Sequence, residues 1–242
     1  MTDERDDHEF SSGQGFDDPY EPFDLDPEDL AADPSVVDPV DSHVLPDTLD
    51  DANVVAEDVD ADALIDVGLS YVGIKRHEQA AETFERAARY ADDESVEQEA
   101  WVNKGVAHAE LEEYDRAIGA YEEALDVLED GPHAATAETN LAYALWEFGR
   151  TEQALEHAER AVELDPRFGE GWYNRGLFLN ERGLHEDALN SFENARRLGF
   201  RTADLLEEQA IALDAVGEDE RAEEALEEAE ELREAQQEEL LE

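Results

Sequence analysis

Alanine recurs through most of this chain with a spacing that few folds can satisfy. Ala80 and Ala87 stand seven residues apart, as do Ala117 and Ala124, Ala154 and Ala161, Ala188 and Ala195, and Ala222 and Ala229. Successive pairs are offset by 37, 37, 34 and 34 residues. Seven residues make two turns of α-helix, so each pair marks one helical face where nothing larger than a methyl group is wanted. Such a face returning every 20–50 residues or so is the sign of a repeat array. A larger residue stands between the alanines of each pair: Phe84, Tyr121, Phe192 and Leu226, with Ala158 in the third unit. Twelve residues before the first alanine of each pair come Gly68, Gly105, Ala142, Gly176 and Ala210. Sixteen before it come Leu64, Trp101, Glu138, Trp172 and Leu206. WVNKG (Trp101–Gly105) and WYNRG (Trp172–Gly176) are therefore the same segment of units two apart.

A bulky residue, then a small one, then the alanine–aromatic–alanine triplet resembles the tetratricopeptide repeat, a pair of antiparallel helices in about 34 residues. The resemblance implies an all-α fold, a right-handed α-solenoid of about five helix-turn-helix repeats. They are expected near 61–94, 98–131, 135–168, 169–202 and 203–236, in an array spanning 58–242. Small residues are needed where paired helices cross, because a larger side chain would push the backbones apart. Gly149, Gly183 and Gly217 fall where a first helix ends and suit a left-handed cap. Gly131-Pro132 reads as a stop and a restart. The third unit departs from the family pattern at Glu138, where Trp is usual, and at Ala158, where Phe is usual, so looser packing is expected there. The last unit runs on into EEALEEAEELREAQQEELLE, a lengthened second helix whose charged face can cap the array.

Residues 1–57 have a different texture, with six of the eight prolines and one basic residue, Arg5. Such sequence buries too little apolar surface to offset chain entropy and is expected to be a disordered acidic tail. A short helix is expected over 41–51, its Val44, Leu45 and Leu49 docking on the first repeat. The tail aromatics Phe10, Phe16, Tyr20 and Phe23 are read either as a docking motif or as part of a solvated segment.

The net charge is -52, from 69 Asp and Glu against 17 Lys and Arg, and only Lys75 and Lys104 are lysines. Such a chain repels phosphate backbones and anionic lipid, so neither nucleic acid nor membrane is expected as a partner. A DNA mimic or histone chaperone would concentrate its acids in one face or run; here they are spread over tail and helices alike. That spread, with scarce lysine, resembles proteins of salt-loving archaea. No apolar run is long enough to span a membrane and no basic-then-apolar leader opens the chain, so a cytoplasmic location is expected.

No catalytic constellation stands out. With no cysteine there is no disulfide, thiolate metal site or Cys nucleophile. The seven histidines show no helical metal-site spacing. His77, His108 and His185 replace packing aromatics, and His157 is placed near a solvent face. Neither a phosphate-binding glycine loop nor a nucleophile elbow is present. The expectation is a protein that is not an enzyme and takes no cofactor and no metal.

What remains is binding. In the family it resembles, first helices line a concave groove that holds a peptide. By that register the groove contains Val102, Asn103 and Val106, then Asn140, Tyr143 and Trp146, then Tyr173, Asn174 and Leu177. Asp66 and Leu69 extend it at one end, Glu208 and Ile211 at the other. Asn103, Asn140 and Asn174 form a ladder that suits either a bound peptide backbone or the neighbouring helix. Lys104 and Arg175 fall one step round, toward the paired helix, so the carboxylate clamp of one subfamily is not expected. The resemblance implies a non-enzymatic protein–protein interaction scaffold whose groove binds an apolar or basic segment of a protein or peptide partner. The alternative is a self-associating structural array with a solubilising tail. Tyr143 and Trp146 are expected to serve the partner and contribute little stability.

At about 1 M salt the Debye length is about 3 Å, short enough to screen most surface repulsion. Helicity followed by circular dichroism is expected to fall as potassium chloride is lowered from about 3 M to about 0.05 M. A flat signal would contradict the salt adaptation.

Overall fold

The computed structural model describes residues 59–239. The expected tail, with its helix over 41–51, lies outside the described residues. Within them the chain forms ten α-helices and no strand. These are α1 (Ala61–Gly73), α2 (His77–Tyr90), α3 (Glu94–Ala109), α4 (Tyr114–Val127), α5 (Ala134–Glu147), α6 (Thr151–Leu164), α7 (Gly169–Glu181), α8 (His185–Arg197), α9 (Ala203–Ala215) and α10 (Asp219–Glu239). They run as five antiparallel pairs, and α10 is the longest at 21 residues.

One turn joins the helices of every pair. The residue two before each second helix takes left-handed backbone: Gly149, Gly183 and Gly217 at φ 87°, 74° and 83°, and Lys75 and Glu112 at 59° each. The next amide donates to the carbonyl five residues back, as from Arg150 to Leu145 at 2.8 Å and from Leu184 to Leu179 at 2.9 Å. This satisfies a carbonyl that the helix end would otherwise leave bare. Elsewhere side chains do the capping: Asp60, Asp93 and Thr202 accept backbone amides at the starts of α1, α3 and α9.

The paired helices meet on their small residues. The first eight spaced alanines expose no surface, and Ala222 and Ala229 are buried as well. The rings of Phe84, Tyr121 and Phe192 lie directly on Gly68, Gly105 and Gly176. A Cβ added to those glycines would sit 2.4, 2.3 and 2.5 Å from ring carbon. In the third pair Ala142 and Ala158 hold these two positions and are both fully buried. A methyl on each helix replaces a ring on glycine, and α5 and α6 pack as extensively as the other pairs. The looser packing expected at Ala158 is therefore not found there.

Each first helix also packs on the first helix of the next pair, α1 on α3, α3 on α5, α5 on α7 and α7 on α9, whereas second helices make no comparable contact with one another. First helices crowd together and second helices splay, so the array curves with its first helices on the inner face.

The loosening in the third unit falls at Glu138 instead. This carboxylate is fully buried. It is held by His157 Nδ1 at 2.5 Å and Arg160 Nε at 2.9 Å, both on α6. Arg160 reaches on to Glu129 of the preceding unit at 3.1 Å. A cavity of about 450 Å³ opens beside it between α4 and α6, on the splayed side. Its place matches that of Trp101 and Trp172 in their units. His157, expected near solvent, is thus committed to a buried partner.

Two consequences can be measured by chemical denaturation. Gly105→Ala gains about 1 kcal/mol of helix propensity but drives a methyl into the Tyr121 ring; overpacking costs about 1–3 kcal/mol, so a net loss is expected. Glu138→Gln strands Arg160 and His157 and is expected to cost about 1–3 kcal/mol, moderated because Arg160 can turn to solvent. Glu138→Trp strands the same two partners but desolvates no polar group and fills the adjoining space, so it is expected to cost less than Glu138→Gln.

Candidate peptide-binding groove

On the inner face, a second cavity of about 450 Å³ spans three successive first helices. Val106 and Ala109 of α3, Asn140 and Tyr143 of α5, and Tyr173 and Asn174 of α7 form its apolar and amide wall. Tyr114 and Tyr121 of α4 close one side, and Phe200, from the link between α8 and α9, closes the other. Glu110 and Glu112 from the α3–α4 turn and Glu170 from the first turn of α7 complete it.

Five of the nine groove residues read from the sequence, Val106, Asn140, Tyr143, Tyr173 and Asn174, meet at this cavity. Val102 and Leu177, at 5% and 8% exposure, are core residues beneath the face. Asn103 is half-buried and stands outside the cavity. Trp146 is the largest departure from expectation. Its Nε1 donates to Glu181 at 2.6 Å, and its ring lies 5.8 Å from Tyr143 and 6.0 Å from Phe178. It is a half-buried staple between α5 and α7. Tyr143 beside it is 39% exposed and gives its hydroxyl proton to Glu147 at 2.7 Å.

The asparagine ladder splits by use. Asn174 is buried and donates to the Thr139 carbonyl of α5 at 3.4 Å, joining neighbouring first helices. Asn140 lines the cavity, and its side chain makes no hydrogen bond among the described residues. At the ends, Leu69 and Ile211 are exposed, and Glu208 accepts from Asn180. Lys104 and Arg175 both turn away from the groove toward second helices, Lys104 to that of the preceding pair and Arg175 to its own. Lys104 reaches Glu85 at 2.8 Å beneath the Trp101 ring, and Arg175 reaches Ser191 at 2.6 Å beside Trp172.

Among the described residues no Lys, Arg or His lines the cavity, and the charged groups lining it are carboxylates. Tyr173 is pushed up to about 12 by desolvation, reinforced by Asp204, Glu208 and Glu207. Tyr143 is raised beyond the ordinary phenol range by desolvation and by the bond to Glu147. Tyr114 rises through burial and then through Glu147 and Glu112. Glu170 is reached by solvent, yet its place inside the concavity raises its carboxyl through desolvation.

Ala109, Glu110, Glu112, Tyr114, Tyr121, Glu170 and Phe200 were not among the mapped groove residues. Mapping the middle of first-helix faces reaches neither the helix ends, where Ala109 and Glu170 stand, nor a turn, a second helix or an inter-repeat link. Acidic residues clustered at the ends of α3 and the start of α7 were the available signal. Phe200 had none, because its position depends on the path of the link. Among the described residues, no cluster of three or more His, Asp or Glu is placed to hold a metal, and no helix is long and apolar enough to cross a membrane.

Curved stacking of helix pairs with an open inner face defines a helical-repeat solenoid. Family models of the tetratricopeptide repeat match residues 61–94, 97–167 and 139–199, together more than half of the chain. The chain belongs to the tetratricopeptide repeat family. An uncharacterized protein of Methanocaldococcus jannaschii is 39% identical over 44 residues, which cover 18% of this chain and 51% of that protein. The chain thus spans about half the length of this curated relative. Among solved structures, MamA from Desulfovibrio magneticus RS-1 is similar at 19% identity and a TM-score of 0.59, over 73% of this chain and 96% of that one. YrrB, described as a TPR protein with an unusual peptide-binding site, is similar at 22% identity and a TM-score of 0.54, over 72% and 86%. BtubC from P. vanneervenii reaches a TM-score of 0.61 at 17% identity, over 70% and 78%. These likenesses show the fold.

Proposed function

We propose that the protein is a non-enzymatic interaction scaffold whose inner face captures an apolar or basic segment of a partner protein. The observation that carries this reading is the cavity shared by α3, α5 and α7. Its aromatic wall offers anchoring surface and its carboxylates oppose any acidic ligand. Partner binding by this fold in other proteins, YrrB among them, is in keeping with it. The array of residues 58–242 is the binding unit in this reading, and the acidic surface fits a salt-rich cytoplasm.

Self-association is the second reading. Val67 and Leu69 near one end of the array and Ile211 and Leu226 near the other are exposed, which suits stacking end to end once salt screens the charge. A light-scattering mass in molar salt separates the two.

Tyr143 and Trp146 divide the readouts of the main proposal. Tyr143→Ala is expected to change stability by less than about 1 kcal/mol and to lose the partner. Trp146→Ala is expected to cost about 2–3 kcal/mol, because it removes the staple to Phe178 and Glu181. The check is affinity capture from the native host at high salt, with thermal melts of the same preparations. A partner held equally well by Tyr143→Ala removes this cavity from the binding face.

A further inference from the structure

We infer that the inner-face cavity is a receptor for a guanidinium group, as carried by an arginine side chain of the captured segment. Three features of the cavity meet on this chemistry. Its walls are aromatic, with Tyr114, Tyr143, Tyr173 and Phe200 around one space, and cations bind the faces of such rings. Its charged groups are the carboxylates Glu110, Glu112 and Glu170, with no basic residue among the described ones lining it. Asn140 lines the same space and its side chain makes no hydrogen bond among the described residues, so its amide oxygen can accept a donor.

A carboxylate in a concave, partly desolvated place costs free energy until a cation pairs with it. Glu170, at the wall of the cavity, is raised by desolvation in keeping with such a cost. The bound cation would return it to the ordinary range. Between the two basic side chains, the observations favour arginine. A planar guanidinium stacks on tyrosine while its edge donates to carboxylate and amide oxygens, and it is more weakly hydrated than an ammonium. A lysine ammonium is a point charge that would give up more hydration for fewer directed bonds.

Charge also excludes the nearest alternative occupants. The segment before the described residues carries Arg5 as its one Lys or Arg among many acids, so it is repelled by an acidic cavity. A second copy brings the same net charge of -52. The occupant is a basic segment of another protein. This rests on the proposed groove for the source of the arginine, but the guanidinium site itself is testable without any partner.

The test uses the full chain labelled for NMR and the capped tripeptide acetyl-Ala-Arg-Ala-amide. Identical peptides carry citrulline, which keeps the shape and loses the charge, or lysine. The titrations are run at about 1 M potassium chloride, where the Debye length is about 3 Å and attraction to the general acidic surface is suppressed. The arginine peptide is expected to shift resonances of α3, α5 and α7 around the cavity. Citrulline and lysine peptides should bind at least about tenfold and severalfold more weakly. Glu170→Gln and Tyr143→Leu should each weaken the arginine peptide with the fold retained, as shown by unchanged spectra elsewhere. Equal binding of citrulline or lysine, shifts scattered over the acidic surface, or insensitivity to Glu170→Gln would overturn the guanidinium site. Those results leave partner capture through Tyr143 standing. A partner that ignores Tyr143 would instead remove the groove reading while localised arginine shifts remained.

Discussion

Everything else in this protein depends on the approach of a ring, or a methyl, to bare backbone where two helices of a pair cross. Phe84, Tyr121 and Phe192 rest on glycines that have no room for a Cβ. That contact sets the distance between paired helices, and the flanking alanines, which expose no surface, allow it along two turns. The third pair reaches the same end by methyl against methyl, at Ala142 and Ala158. The pairs are then alike enough to stack, and their stacking makes the curve. An interior packed at this density transmits a misfit instead of absorbing it.

Curvature has unequal effects on the two sides of the array. Crowded first helices bring side chains from three units to one cavity on the inner face. Splayed second helices leave the outer side harder to fill, and the units with Trp101 and Trp172 fill it with indole. The third unit fills it with an ion pair, Glu138 with Arg160 and His157, and leaves open space beside it. A buried carboxylate held by an arginine and a histidine is costly to desolvate and adds little net stability. It does fix the register of α5 on α6 by direction, which an apolar contact cannot do.

The inner face separates residues that build from residues that wait. Asn174, Trp146, Val102 and Leu177 are used by the fold, through a carbonyl bond, a staple or plain burial. Tyr143, Tyr173 and Asn140 line the cavity, the tyrosines also packing on Trp146 and on Phe192 and Phe200, with carboxylates and, among the described residues, no basic side chain around them. The cavity is therefore electrostatically incomplete. Desolvation, and after it the nearby carboxylates, raises every phenol that lines it for which a shift is resolved. A cationic ligand would pair with those carboxylates, and an acidic or neutral one would not.

The periodic sequence alone determined the helix pairs, the small residues at their crossings and the left-handed turns at Gly149, Gly183 and Gly217. These are relations within one unit, fixed by 3.6 residues per turn and by which side chains fit a close crossing, so a linear pattern carries them. It also pointed to five of the residues that line the inner-face cavity, because a residue on a first helix keeps its face whatever the neighbours do. Only the tertiary structure decided that Val102 and Leu177 lie beneath that face, that Trp146 is a staple and that Glu138 pairs across α6. Only it brought Glu112, Glu170 and Phe200 to one cavity. Those outcomes depend on how far one unit rotates on the next, a small angle summed over several interfaces that no single segment encodes.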